Sequence, residues 1–199
     1  MKIKNIIEKL NSSAEVKIAA LGDSLTYGWM TQHGYLDFLQ QMLKKKYPAS
    51  DFKILNRGIP GDTAKDGLRR VENDVIRLAP DLVFVQFALN DAYTDFSPED
   101  FQKNIESIVL KIKEKTDAEI VLLTSVALLN PDENRIARMF YGKLHECGER
   151  HNIPVVSVDE YWENKIASGI KHSSLVQADG IHPNEKGYEL MAEAVFQIF

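Results

Sequence analysis

Short apolar runs alternate along this chain with longer stretches whose apolar residues recur at helical spacing. The pattern predicts strands over Val16–Leu21, Phe52–Leu55, Asp81–Phe87, Glu119–Thr124 and Pro154–Val158. The third run, Leu82-Val83-Phe84-Val85, is nearly continuous in apolar residues, which suits a strand covered on both faces. Between the runs, Leu36, Leu39 and Leu43 mark one amphipathic helix, ending near Tyr47-Pro48. Leu68, Val71, Val75 and Leu78 mark a second over Ala64–Leu78, stopped by Pro80. Ile105, Ile108, Val109 and Ile112 give the face of a third. Its start is explicit, with Ser97 as N-cap, Pro98 at the first helical position and acids in the first turn. A fourth is expected from about Asn134 to Arg150, after a loop opened by Asn130-Pro131-Asp132. A short helix follows the fifth strand, and a last helix runs from about Asn184 to Phe199. Met1–Ala14 reads as a short helix or arm. The third strand ends in Ala88-Leu89-Asn90-Asp91, and the segments 26–34 and 92–97 read as loops.

Strands alternating with helices predict a parallel sheet with helices on both faces, joined by right-handed crossovers. The pattern leaves the strand order open. Neither a repeat nor a linker interrupts it, and 199 residues suit one domain over 1–199.

Composition narrows the function classes. Hydrophobic residues make up 44% of the chain and charged ones 27%, ordinary values for a globular protein. A net charge of −5 argues against nucleic acid as a partner. The one dense basic run, Lys44-Lys45-Lys46, falls late in a helix, where cations suit the dipole. No apolar run approaches a membrane span, and Met1–Leu10 lacks the core of a secretory signal, so no integral membrane association and a cytoplasmic location are expected. Cys147 is the only cysteine, which excludes an intrachain disulfide and argues against a thiolate zinc site.

The chemistry collects where strands end. Ligands of open α/β sheets bind beyond the carboxyl ends of the strands. After the first strand comes Gly22-Asp23-Ser24; after the second, Asn56, Gly58 and Gly61; after the third, Asn90-Asp91. Ahead of the last helix stands Asp179-Gly180-Ile181-His182-Pro183. Ser24 is a candidate nucleophile, His182 its base, and Asp179, three residues earlier, a carboxylate able to fold back onto the imidazole. The N–H groups of Ser24 and Gly61 and the side-chain amide of Asn90 are candidate oxyanion donors. Asp23 reads as the residue that holds the turn through bonds to nearby backbone. Taken singly, each of these segments is also an ordinary turn. His33, His145, His151 and His172 read as surface or half-buried structural residues, and Cys147 as a small helix residue. A zinc site on Asp179 and His182 would need ligands that no spacing suggests.

Together these segments resemble the GDSL (SGNH) esterase and lipase family. Gly22-Asp23-Ser24-Leu25-Thr26 is similar to its first block, Asn56-Arg57-Gly58-Ile59-Pro60-Gly61 to its second, Asn90-Asp91 to its third and Asp179-Gly180-Ile181-His182-Pro183 to its fifth. The resemblance spans nearly the whole chain. It implies a three-layer α/β/α fold, flavodoxin-like, with a five-stranded parallel sheet and no cofactor. It also implies Ser24, His182 and Asp179 as a catalytic triad acting on a small-molecule ester. The third block departs from the family pattern, because Ala88 stands where a glycine is usual. Its methyl tightens the turn or narrows the pocket, while the donor Asn90 is kept.

Substrate is the least determined feature. Trp29, Met30, Tyr93, Phe96 and Ile181 line an apolar pocket or anchor loops. Short loops favour small acyl groups, such as acetyl esters of a sugar or lipid; a lysophospholipase or thioesterase with a longer acyl chain is the alternative. Two rivals from other classes stand beside the esterase. One is a phosphate-binding module on the same fold, with no use for Asp179 and His182; the other is an inactive interaction domain, with no reactive serine.

Overall fold

The computed structural model describes residues 3–12, 14–94 and 96–199. Five strands form one parallel sheet: β1 (Val16–Gly22), β2 (Phe52–Gly58), β3 (Leu82–Gln86), β4 (Glu119–Leu123) and β5 (Val155–Val156), in the order β2-β1-β3-β4-β5. That is the flavodoxin-like order, which reverses direction between β1 and β3. Gly22 pairs with both Gly58 and Gln86, and Gln86 with Leu123. Four strands therefore end in register, and the turns that follow share one edge of the sheet.

Helices cover both faces, as the amphipathic pattern predicts. α3 (Tyr35–Lys46) packs with α9 (Glu185–Phe196), which also meets α8 (Val158–Ala167). On the other side, α6 (Pro98–Lys115) packs between α4 (Ala64–Asp74) and α7 (Pro131–His151). The predicted stripe of α6 is its buried face: Ile105, Ile108, Val109 and Ile112. All of β3 is buried. Its one polar residue, Gln86, accepts from Thr26 Oγ1 at 2.6 Å and donates to Ser125 Oγ at 2.8 Å, so its amide is not left unpaired in the core. α1 (Lys4–Asn11) closes the opposite edge of the sheet. There the Ile6 N–H meets Glu119 at 3.1 Å and Lys9 pairs with Asp81. No helix among the described residues is long and apolar enough to cross a membrane.

Several boundaries differ from the sequence expectations, each for a local reason. The segment read as a loop from residue 26 begins inside a helical turn, α2 (Ser24–Tyr27), because the Asp23 side chain caps it. The segment Ala88-Leu89-Asn90-Asp91, read as the end of the third strand, lies beyond β3 and carries α5 (Leu89–Ala92). α4 stops at Asp74, and a 3-10 turn over Ile76–Leu78 completes what reads as one helix. α7 starts at Pro131, three residues before the expected start at Asn134. Asn130-Pro131-Asp132 is its N-cap, first residue and first acid, the same start signal as Ser97-Pro98-Glu99.

Candidate active site

Ser24 is the first residue of α2. Asp23 Oδ1 accepts the Leu25 N–H at 2.9 Å, so the carboxylate caps the helix and turns Ser24 outward from the end of β1. Asp23 itself is buried, and its other carboxylate oxygen has no partner. Burial, outweighing the Leu25 N–H and reinforced by nearby Asp91, pushes its pKa up to about 7.

Ser24 Oγ lies 2.9 Å from His182 Nε2, and His182 Nδ1 lies 2.6 Å from Asp179 Oδ2. With Nδ1–H donated to the carboxylate, Nε2 is left as the acceptor for the serine hydroxyl. The Asp179-Gly180-Ile181-His182 turn does fold back on itself. Asp179 Oδ1 accepts the N–H groups of Ile181 and His182 at 2.9 and 3.0 Å. Burial alone would raise the Asp179 carboxyl, but these donors and the His182 ring hold it below its usual range. Gln177 ties this loop to the nucleophile's: its Nε2 donates to the carbonyls of Trp29 and Pro183, both at 2.8 Å.

The second loop is pinned to α2 at close quarters. Asn56 Nδ2 donates to the Thr26 carbonyl at 2.9 Å, and Asn56 Oδ1 accepts the Gly58 N–H at 2.9 Å. A Cβ on Gly58 would stand 2.3 Å from Tyr27 N and 2.7 Å from the Asp23 carbonyl, so only glycine fits there. Gly61 has a φ of +86° and no atom within 4 Å of where a Cβ would sit, which leaves its backbone open. Among the described residues, the N–H groups of Ser24 and Gly61 meet no acceptor within the chain. Asn90 donates one amide hydrogen to the Asp62 carbonyl at 2.9 Å, leaving its second for a ligand. All three candidate donors therefore stand at the edge that carries Ser24.

Three further residues support this edge in ways that their positions in the sequence do not show. The buried Asp91 carboxylate accepts the Ala64 N–H at 3.0 and 3.1 Å and so joins α5 to the N-terminus of α4; burial, against that N–H, raises its pKa to about 6. Arg70 of α4 donates to Asp62, Asp74 and the carbonyls of Arg57 and Gly22. Ala88, which precedes α5, is buried with φ +154°, ψ −40°, a backbone conformation that an L-residue adopts only under strain. Its departure from the family glycine was legible in the sequence; the strain it carries was not.

The remaining chemistry-bearing residues fall elsewhere. His33 faces Glu185, and His145 faces Ser157. His172 is more buried than expected: its Nε2 donates to the Ala127 carbonyl at 3.1 Å beside Trp162. Glu106, Cys147 and His151 bring metal-ligating atoms within 4.8 Å of one another between α6 and α7. Glu106 is already paired with Arg150, and burial pushes the Cys147 thiol up to about 11, so this group reads as a helix contact. Of the residues considered for an apolar pocket, Trp29 stacks beside Tyr27 at a centroid distance of 6.4 Å, while Met30 and Tyr93 are exposed. Phe96 carries the Lys65 ammonium over its ring, as a loop anchor does. Ile181 packs on the core.

Comparison with known proteins gives the family. The family described as GDSL-like lipase/acylhydrolase matches residues 20–190. The chain belongs to that family and is, by class, a carboxylic ester hydrolase. It is 26% identical to an arylesterase of Vibrio mimicus, over 94% of this chain and 89% of that one. It is 24% identical to an acetylxylan esterase of Geobacillus stearothermophilus, over 81% and 78%. A thioesterase 1/protease 1/lysophospholipase L1 of Escherichia coli is also 24% identical, over 94% and 85%. Among solved structures, a catalytic mutant of the Geobacillus acetylxylan esterase shares the fold, with a TM-score of 0.83 at 22% identity, covering 92% of this chain and 93% of that one.

Proposed function

We propose that Ser24, His182 and Asp179 hydrolyse a short-chain acyl ester, an acetyl ester foremost, through an acyl-enzyme. The observation that carries this reading is the unbroken chain from Ser24 Oγ to His182 (2.9 Å) to Asp179 (2.6 Å). Ser24 Oγ attacks the ester carbonyl as His182 Nε2 takes its proton, and Asp179 stabilises the imidazolium that forms. The Ser24 and Gly61 N–H groups and the Asn90 amide receive the oxyanion. The imidazolium then protonates the departing alkoxide, and His182 next removes a proton from the water that attacks the acyl-enzyme. Collapse of that second intermediate releases the acid and restores the Ser24 hydroxyl.

Two likenesses support a small acyl group. One relative is named an acetylxylan esterase. A two-domain esterase active on acetylated mannans also shares the fold, with a TM-score of 0.82 at 25% identity over 98% of this chain and 52% of that one. Turnover of p-nitrophenyl esters is expected to fall as the acyl chain lengthens from acetate through butyrate to octanoate, and to vanish in Ser24→Ala. A maximum at octanoate would instead favour a thioesterase or lysophospholipase. Near-parental turnover in a folded Ser24→Ala would sink the triad itself.

A further inference from the structure

The geometry points to Arg70 as the positioning residue that holds the three oxyanion donors at a common focus. The inference rests on the triad reading above and assigns no contact between Arg70 and substrate. The Arg70 side chain is 14% exposed and makes four hydrogen bonds at once, two to carbonyls and two to carboxylates. Nη2 donates to the Gly22 carbonyl at 2.8 Å, two residues before Ser24. Nη1 donates to the Arg57 carbonyl at 2.8 Å and to Asp74 at 2.9 Å. Nε donates to the Asp62 carboxylate at 2.7 Å.

These partners bracket the site. Gly22 and Gly58 are register partners at the ends of β1 and β2, and the Gly22 carbonyl also accepts the Ile59 N–H at 3.0 Å. Arg57 and Asp62 flank the turn that contains Gly61, so the guanidinium grips that turn on both sides. The carbonyl of the same Asp62 receives the Asn90 amide at 2.9 Å. One planar cation thus reaches the backbone before Ser24, both shoulders of the Gly61 turn and, through Asp62, the side chain of Asn90.

The helix that carries Arg70 is itself anchored at its N-terminus. The Ala64 N–H of α4 is held by Asp91, and the Asp66 carboxylate accepts both the N–H and the hydroxyl of Thr63 at the same helix end. A guanidinium is needed because its donors lie in a fixed fork; a lysine has one nitrogen and cannot span two carbonyls and a carboxylate. An oxyanion site works by donors aimed where charge develops, so loosening their mutual placement costs the transition state more than the bound ester.

The deciding variant is Arg70→Lys, which keeps a cation for Asp62 and Asp74; Arg70→Ala supports it. With p-nitrophenyl acetate, and with folding verified by circular dichroism, kcat of Arg70→Lys is expected to fall at least about tenfold and that of Arg70→Ala about a hundredfold, with KM nearly unchanged. Affinity for a trifluoromethyl ketone analogue should fall in parallel, and methylguanidinium should restore part of the turnover of Arg70→Ala. Near-parental kcat in Arg70→Lys overturns the inference. So does a loss that tracks only the folded fraction while the folded enzyme keeps its analogue affinity. Ser24→Ala, assayed alongside, separates the failures: an active Ser24→Ala defeats the triad, whereas an inactive one beside a normal Arg70→Lys defeats only the role of Arg70.

Discussion

The backbone at Ala88 sets the turn that carries Asn90, and it does so with a methyl group where its φ of +154° favours none. Holding a non-glycine residue in a sparsely populated region costs about 1–3 kcal/mol. Glycine would relieve that cost but give back part of it through the freedom of the unfolded chain, about 0.5–1 kcal/mol, and through a methyl-sized gap. Ala88→Gly is therefore expected to be stabilising by about 1 kcal/mol, read as a rise of about 2–4 °C in the midpoint of thermal unfolding. An unchanged or lowered midpoint would show that the surrounding packing has already absorbed the strain. At this scale the sequence was legible where residue types and spacings are distinctive: Ser24, Asp179 and His182 sit in tight turns, and the fold brings them within hydrogen-bond distance of one another. Arg70 gave no such sign, and Asp91 was legible only as a member of the Asn90-Asp91 block. An arginine in a charged stretch reads as solvated, and only packing shows that Arg70 faces carbonyl groups and Asp91 the Ala64 N–H.

Helix starts follow one physical rule in this chain. Ser97 and Asn130 each precede a proline and acids, and each side chain caps the helix that follows. The first was readable because a clear apolar stripe comes after it. The second was read as a loop because Asn134-Arg135-Ile136-Ala137-Arg138 begins with a largely exposed face. Asn130 Oδ1 accepts the N–H groups of Asp132 and Glu133 at 2.9 and 3.3 Å. Asn130→Ala should lower stability by about 1 kcal/mol in urea unfolding, whereas Asn130→Asp should preserve it. The short turns α2 and α5 were invisible for another reason. Each is a few residues long, too short for a period to register, and both exist to aim one side chain at the sheet edge.

Across the whole molecule, buried acids shape the response to pH. Asp23 and Asp91 have native pKa values raised to about 7 and about 6, above an unfolded value of 3.8. The native state therefore holds protons that the unfolded chain has released. Their contribution is complete below about pH 4 and is lost as pH rises through 6 and 7. Asp66, Asp81 and Asp179, held below the usual range, act in the opposite sense and weaken the fold only in strong acid. Stability should therefore decline from pH 5 to pH 8. Asn in place of Asp23 keeps the acceptor for Leu25 and removes the ionisation, so thermal unfolding of Asp23→Asn should show a decline smaller by at least about 2 °C. An identical decline in both proteins would place the titrating group elsewhere. The flavodoxin-like order, by contrast, came from family resemblance; alternation of strands and helices is compatible with several orders, and register decides among them only in three dimensions.

The span from Ser24 to His182 has a kinetic meaning. The two residues stand 158 positions apart, and their contact closes only when the sheet between them has been laid down and α9 has docked on α3. Such distant pairings form late, because the chain entropy of joining them must be met before they stabilise anything. Recovered turnover during refolding thus reports the last steps of assembly, well after helix content has returned. In an incompletely folded chain, however compact, Ser24 has no His182 beside it, and under the triad proposed above such a chain is inert.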